Sequence, residues 1–217
     1  MGFSKFLVNA FNKINGKLDV RRIAKKTPFE KVEKVLDIPY LATGNKYHLL
    51  DIYYPENNSK KLPVIIDVHG GGWMYGTKDI NSHYCQGLAT YGFIVVNISY
   101  RLIKDGEDGT FPNMIQDVIN AFSWVEKNIE SYNGDLSNVF LTGDSAGAHL
   151  ACLAQSIMLE PNLMEKLDLA TNLKFNAIAL TCGVFDVEVY SKSKFPFLSI
   201  CSDNFLAKII RPMNILS

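Results

Sequence analysis

The chain has 217 residues, of which 47% are hydrophobic and 20% charged, and its formal net charge is zero at pH 7. That length and composition suit one globular domain with a sizeable core. The balanced charge excludes the basic footprint of a nucleic-acid or anionic-membrane binder, and no apolar run approaches the length of a membrane span. In chain order, Phe3, Phe6, Leu7, Phe11, Ile14 and Leu18 recur at helical spacing, with Lys5, Asn12, Lys13 and Lys17 elsewhere on the wheel. This spacing predicts an amphipathic helix packed on the domain. Asn9, Asn12, Lys13 and Asn15 interrupt any signal-peptide core, and Phe6 stands where a myristoylation motif needs Ser or Thr, so neither a secretory leader nor a lipid anchor is expected.

Residues 32–41 and 47–54 read as two strands around the turn Thr43-Gly44-Asn45-Lys46. Residues 63–69 form a buried-strand run, 81–91 a helix, and 93–99 a second buried strand ending at Tyr100-Arg101. Residues 112–132 read as a long helix with Pro112 at its start and Ile115, Val118, Ile119, Phe122, Val125 and Ile129 on one face. A short strand over 139–141, an Ala-rich helix from Ala146 to about Leu159, and a buried strand over 175–184 follow. Strands alternating with helices predict a mainly parallel sheet with right-handed crossovers. The four cysteines, Cys85, Cys152, Cys182 and Cys201, have no C-x-x-C spacing. Cys152 and Cys182 lie in apolar segments and are expected to be buried free thiols, which favours a reducing compartment, the cytoplasm.

Two motifs end predicted strands. The strand over 139–141 runs into Gly143-Asp144-Ser145-Ala146-Gly147, a G-x-S-x-G pattern opening a helix. The pattern alone recurs by chance, and its bland meaning is a Gly-rich turn with a spare Ser. Its strand–turn–helix context is that of a nucleophile elbow, with Ser145 lifted from the sheet edge beside the free amides of a helix N-terminus. The strand over 63–69 ends in His69-Gly70-Gly71-Gly72-Trp73, an HGGG-type loop of the kind that supplies the other half of an oxyanion hole. With both motifs in this order, the chain resembles the α/β-hydrolase superfamily, and within it the hormone-sensitive-lipase-like carboxylesterases and acetyl esterases.

The resemblance implies hydrolysis of small carboxylic esters through an acyl-enzyme on Ser145, the amides of Gly71, Gly72 and Ala146 holding the oxyanion and His69 shaping the loop. It implies no metal or organic cofactor, and no metal-ligand spacing is seen. It also implies one domain over 1–217, with 1–30 and 187–212 forming two parts of a cap over the site. An amidase or formamidase on the same scaffold, or a non-catalytic binding protein, would share both motifs.

The remaining triad members are harder to find. In α/β-hydrolases Ser is followed by Asp or Glu and then His. The one histidine after Ser145 is His149, a single turn along the same helix, which reads as structural. His48 and His83 precede the elbow and read as surface or satisfied, partly buried histidines. Asp168, Asp186 and Asp203 fit no acid position. The resemblance thus covers about the first two-thirds of a family domain, with the last strands, the acid and the base expected elsewhere. Self-association or a complementing C-terminal fragment follows as an expectation, because the strand over 175–184 would stand as an apolar edge.

Overall fold

The computed structural model describes residues 29–57, 59–103 and 108–186, together with 14, 16, 18 and 25–27. The cap expected over 187–212 and most of that over 1–30 lie outside the described residues, although positions 14, 16 and 18 are helical. Among the described residues, six strands form one sheet: β1 (Val32–Pro39), β2 (Leu49–Pro55), β3 (Leu62–Val68), β4 (Ile94–Ile98), β5 (Gly134–Asp144) and β6 (Ala177–Thr181), in the order β1-β2-β4-β3-β5-β6. β1 and β2 are an antiparallel pair, and β2 runs antiparallel to β4. From β4 onward the sheet is parallel, as the strand–helix alternation requires.

Among the fully described elements, the helices over the sheet are α1 (Ser82–Ala89), α2 (Phe111–Asn128), α3 (Ala146–Met158) and the short α4 (Pro161–Lys166). The period-two alternation of the strands sorts their side chains between two layers. Ile66, Ile98 and Leu141 join Met114, Phe122 and Leu150 in the main core under α2 and α3. Tyr53 and Val95 face the other way, against Cys85 and Ala89 of α1. Helix α2 begins one residue before Pro112, with the Thr110 hydroxyl accepting from the Asn113 amide at 3.3 Å. It passes into a 3-10 turn at Ile129–Tyr132, where a single longer helix was expected.

Two buried ionic clusters tie the strand ends together. Asp117 of α2, with a fully buried side chain, receives Arg101 at 2.6 and 2.8 Å and His48 Nε2 at 3.1 Å. His48 is therefore buried and paired. Burial alone would raise the Asp117 carboxyl, but the hydrogen bonds from His48 and Arg101 outweigh it and hold the group below the usual range. On the opposite layer, the buried Lys78 ammonium lies 2.8 Å from Asp37 and 2.9 Å from Asp51, joining the β1–β2 pair to the segment after the glycine loop.

Two expectations need correction. The strand expected to be buried over 175–184 is the shorter β6, and most of its residues are exposed, with Ile178 38% so. The reason is position: β6 is the last strand of the described sheet. The thiols also differ from expectation, since Cys85 is the buried one, Cys152 is half-buried and Cys182 is exposed. Cys182 follows the edge strand directly and shares its openness.

Removing the Asp117 carboxylate would strand Arg101 and His48. Asp117→Ala should cost about 3–5 kcal/mol, the range for breaking a buried pair from one side, read by urea unfolding against the parent chain.

Candidate active site

Parallel pairing of β3 with β5 sets Val68 opposite Gly143, so both motifs leave the sheet side by side at the carboxyl ends of adjacent strands. At the end of β5 the chain reverses sharply at Ser145, whose φ is 52° and ψ −116°. A non-glycine residue held there stores strain of order 1–3 kcal/mol. The turn is held from both sides: the Ser145 amide donates to Thr181 of β6 at 2.8 Å, and the Ser145 carbonyl accepts the His149 amide at 3.2 Å. Ser145 is half-buried at the mouth of α3. The amide of Ala146 opens that helix, where first-turn N–H groups have no intrahelical carbonyl.

The glycines of both motifs answer to close backbone contacts. A Cβ on Gly147 would overlap the carbonyl oxygens of Val68 and His69, and one on Gly143 would come within 2.9 Å of the Gly147 carbonyl carbon. In the loop, Gly71 has φ 121° and its Cβ would overlap the Tyr75 carbonyl oxygen, whereas a Cβ on Gly72, with φ 58°, would meet open space. The loop closes as a turn, with the amides of Met74 and Tyr75 donating to the Gly71 carbonyl at 3.2 and 3.0 Å.

His69 is fully buried. Its Nδ1–H donates to the Gly70 carbonyl at 2.7 Å, and its ring stacks on Tyr100 at 4.3 Å. The Tyr100 hydroxyl in turn donates to the His69 carbonyl at 2.7 Å. Asp144, the second residue of the G-x-S-x-G pattern, binds the loop directly: its Oδ1 accepts the Gly70 amide at 2.9 Å and the Asn81 side-chain amide at 3.0 Å. Asn81 also reaches Asp67 at 2.9 Å. Nothing in the sequence linked Asp67, Asn81 and Asp144, and Asp144 was legible only as an unspecified motif position.

His149 sits between Trp73 of the loop, edge-on at 5.5 Å, and Phe111 at 5.3 Å. Among the described residues, no histidine or carboxylate is hydrogen-bonded to the Ser145 hydroxyl. Burial pushes the imidazoles of His69 and His149 down to about 4, so both are neutral at neutral pH. His83 is half-buried and donates to the Thr27 carbonyl at 3.2 Å. None of the described residues forms a metal-binding group of His, Cys, Asp or Glu.

The BD-FAE family model matches residues 50–205, a span that contains both motifs. The chain belongs to the BD-FAE family. Esterase LipQ of Mycobacterium tuberculosis is 34% identical over 168 residues, which are 75% of this BD-FAE chain and 39% of LipQ. The isoprenylcysteine alpha-carbonyl methylesterase of Arabidopsis thaliana is 38% identical over 105 residues, 48% of this chain and 24% of the plant protein. Among solved structures, esterase B from Lactobacillus rhamnosis superposes with a TM-score of 0.90 at 29% identity, covering 98% of this chain and 67% of esterase B. Esterase B has also been crystallised with a tributyrin phosphonate inhibitor, at TM-score 0.86 and 31% identity. These likenesses establish the α/β-hydrolase fold. The BD-FAE chain spans about two fifths of the length of LipQ and about two thirds of esterase B.

Two measurements test the local geometry. Gly147→Ala should destabilise far more than Gly72→Ala, whose cost is about 1–2 kcal/mol for a left-handed Ala; thermal melts of the two variants decide it. Because the buried imidazoles of His69 and His149 have pKa values lowered from 6.5 to about 4, the unfolded chain binds protons there that the folded chain does not. Their contribution to stability is present above about pH 6.5 and is lost as pH falls toward about 4. His149→Phe should therefore show a shallower loss of stability between about pH 6.5 and 4.5 than the parent, measured by urea unfolding at each pH.

Proposed function

We propose that this chain is the nucleophile-bearing part of a serine hydrolase that cleaves small carboxylic esters. The observation that carries the reading is the position of Ser145: a strained elbow at the end of β5, beside a glycine loop at the end of β3, in a chain whose relatives are named esterases. Ser145 attacks the acyl carbon, and the amides of Gly71, Gly72 and Ala146 receive the oxyanion that forms. His69 shapes the loop through its bond to the Gly70 carbonyl. The neutral His69 and His149 flank the site without touching the Ser145 hydroxyl. The general base and the acid that orients it come from a segment beyond these 217 residues, either the same polypeptide or a complementing fragment. Neither a metal nor an organic cofactor takes part.

A cap formed by 1–30 and 187–212 encloses the substrate in this reading. Its support is that a Cβ on Gly16 would lie 3.8 Å from the Tyr75 ring, next to the glycine loop. No helix of the described residues is long and apolar enough to cross a membrane, and the free thiols of Cys85, Cys152 and Cys182 suit the cytoplasm. One observation favours a second reading, a non-catalytic binding protein of the same fold: no base is hydrogen-bonded to Ser145 among the described residues.

The complete protein carrying this chain should hydrolyse short alkyl esters, and Ser145→Ala should lower turnover by about 10⁴ or more. Retention of most activity in that variant removes Ser145 from the chemistry. The isolated 217-residue chain should not turn over ordinary alkyl esters, because a serine hydroxyl without a base is a weak nucleophile. The same chain should self-associate through β6, which light scattering reads directly. A monodisperse monomer with Ser145-dependent turnover would overturn the need for a further segment.

A further inference from the structure

Asp67, Asn81 and Cys85 lie beneath the glycine loop and have no part in the chemistry proposed above. Asp67 is one residue from the end of β3 and is 1% exposed. By strand alternation it faces the α1 layer, near the Cys85 thiol, which burial and the neighbouring Asp67 push up. Asn81 stands immediately before α1, and its Nδ2 lies 2.9 Å from Asp67 Oδ2 and 3.0 Å from Asp144 Oδ1. Both partners are carboxyl oxygens, so the amide nitrogen must face them and give one hydrogen to each. The Asp144 oxygen that takes this hydrogen is the same one that takes the Gly70 amide at 2.9 Å.

We propose that Asn81 is a positioning residue for the oxyanion loop. Anchored on Asp67, it holds Asp144 Oδ1 where that oxygen receives the Gly70 amide, and so fixes the height of Gly71 and Gly72 above Ser145. The consequence for catalysis rests on the hydrolase reading of Ser145; the clamp itself is a property of the folded chain. A single hydrogen bond contributes only about 0.5–1.5 kcal/mol net, too little to freeze both dihedral angles of an aspartate side chain and the loop it binds. A second donor on the same carboxylate, itself fixed at its other hydrogen, removes that freedom. The fit is tight on the loop side as well, since a Cβ on Gly70 would overlap the Asp144 carboxylate. Rotation of Asp144 away from this position would break its bond to the Gly70 amide. Burial pushes the Asp67 carboxyl up to about 7, against the hydrogen bond from Asn81 and with the nearby charge of Asp144. A proton on Asp67 lets two acidic side chains face one amide without full mutual repulsion.

Amide hydrogen exchange on the 217-residue chain, followed residue by residue in NMR spectra, tests the clamp. Asn81→Ala should speed exchange of the Gly70 amide about tenfold or more, the equivalent of one charge-assisted hydrogen bond, while Ile66 and Leu141 keep their protection. Asp67→Asn retains an acceptor oxygen for Asn81 and should leave Gly70 within about twofold of the parent, whereas Asp67→Ala should behave like Asn81→Ala. That rescue is not expected if Asn81 merely fills space. A folded Asn81→Ala variant with unchanged Gly70 exchange, or equal effects from both Asp67 variants, overturns the proposal. Where the variants do not fold, the parent chain decides. Slowly exchanging side-chain hydrogens on Asn81 support the clamp, and exchange at the rate of a free amide overturns it. A failure of the hydrolase reading would show elsewhere, as undiminished ester cleavage by Ser145→Ala, and would leave these exchange rates untouched.

Discussion

The first turn of α3 passes so close to the end of β3 that a Cβ at Gly147 would overlap the carbonyl oxygens of Val68 and His69. The rest of the site depends on that approach. It brings the helix N-terminus over the ends of two parallel strands, so the amide of Ala146 and the loop after His69 open toward one point. It accompanies a sharp reversal, with Ser145 held in a strained conformation (φ 52°, ψ −116°). Gly143 completes the constraint from the strand side, where a Cβ would press on the Gly147 carbonyl carbon. Two small residues four positions apart are thus the minimum that a strand, a turn and a helix need in order to touch.

Buried charge in the two ionic clusters is shared between elements. Asp117 serves Arg101 and His48 below the core face, and Lys78 joins Asp37 to Asp51 on the opposite side of the sheet. Such pairs add little net stability once desolvation is counted, but breaking one leaves an uncompensated buried charge. Their structural effect is registration. Each cluster joins segments distant in sequence, and each acts on the irregular backbone that follows a strand.

The parts of the fold legible in the sequence were those that repeat. The buried runs at 63–69 and 93–99, the long apolar face from Ile115 to Ile129 and the two glycine motifs each carry a periodic or positional signal, and the strands and helices stand close to those positions. The parts that were not legible depend on partners far away in the chain. Asp144 and Asn81 are separated by 63 residues, and neither type is unusual where it stands. The pairing of His48 with Asp117 spans 69 residues and needs β2 and α2 to be packed first. The exposure of β6 obeys the edge expectation and not the buried-strand reading of its composition: composition reports what a strand can bury, while its place in the sheet decides how much it does bury. The open position of Cys182, just beyond that strand, follows from the same rule.

The hydrogen bond from the Ser145 amide to the Thr181 carbonyl, with that from the Thr142 hydroxyl to the Ala179 carbonyl, makes the serine turn lean on a strand that follows it in the chain. Among the described strands, β6 is the last to leave the ribosome. Until β6 arrives, the reversal at Ser145 has no partner for its amide on the strand side, and the strain stored there is unopposed. A nascent chain ending before Thr181 would carry both glycine motifs with the serine turn still free to relax. The turn at Ser145 is thus braced by a strand made well after it, beyond α3 and α4 in the chain.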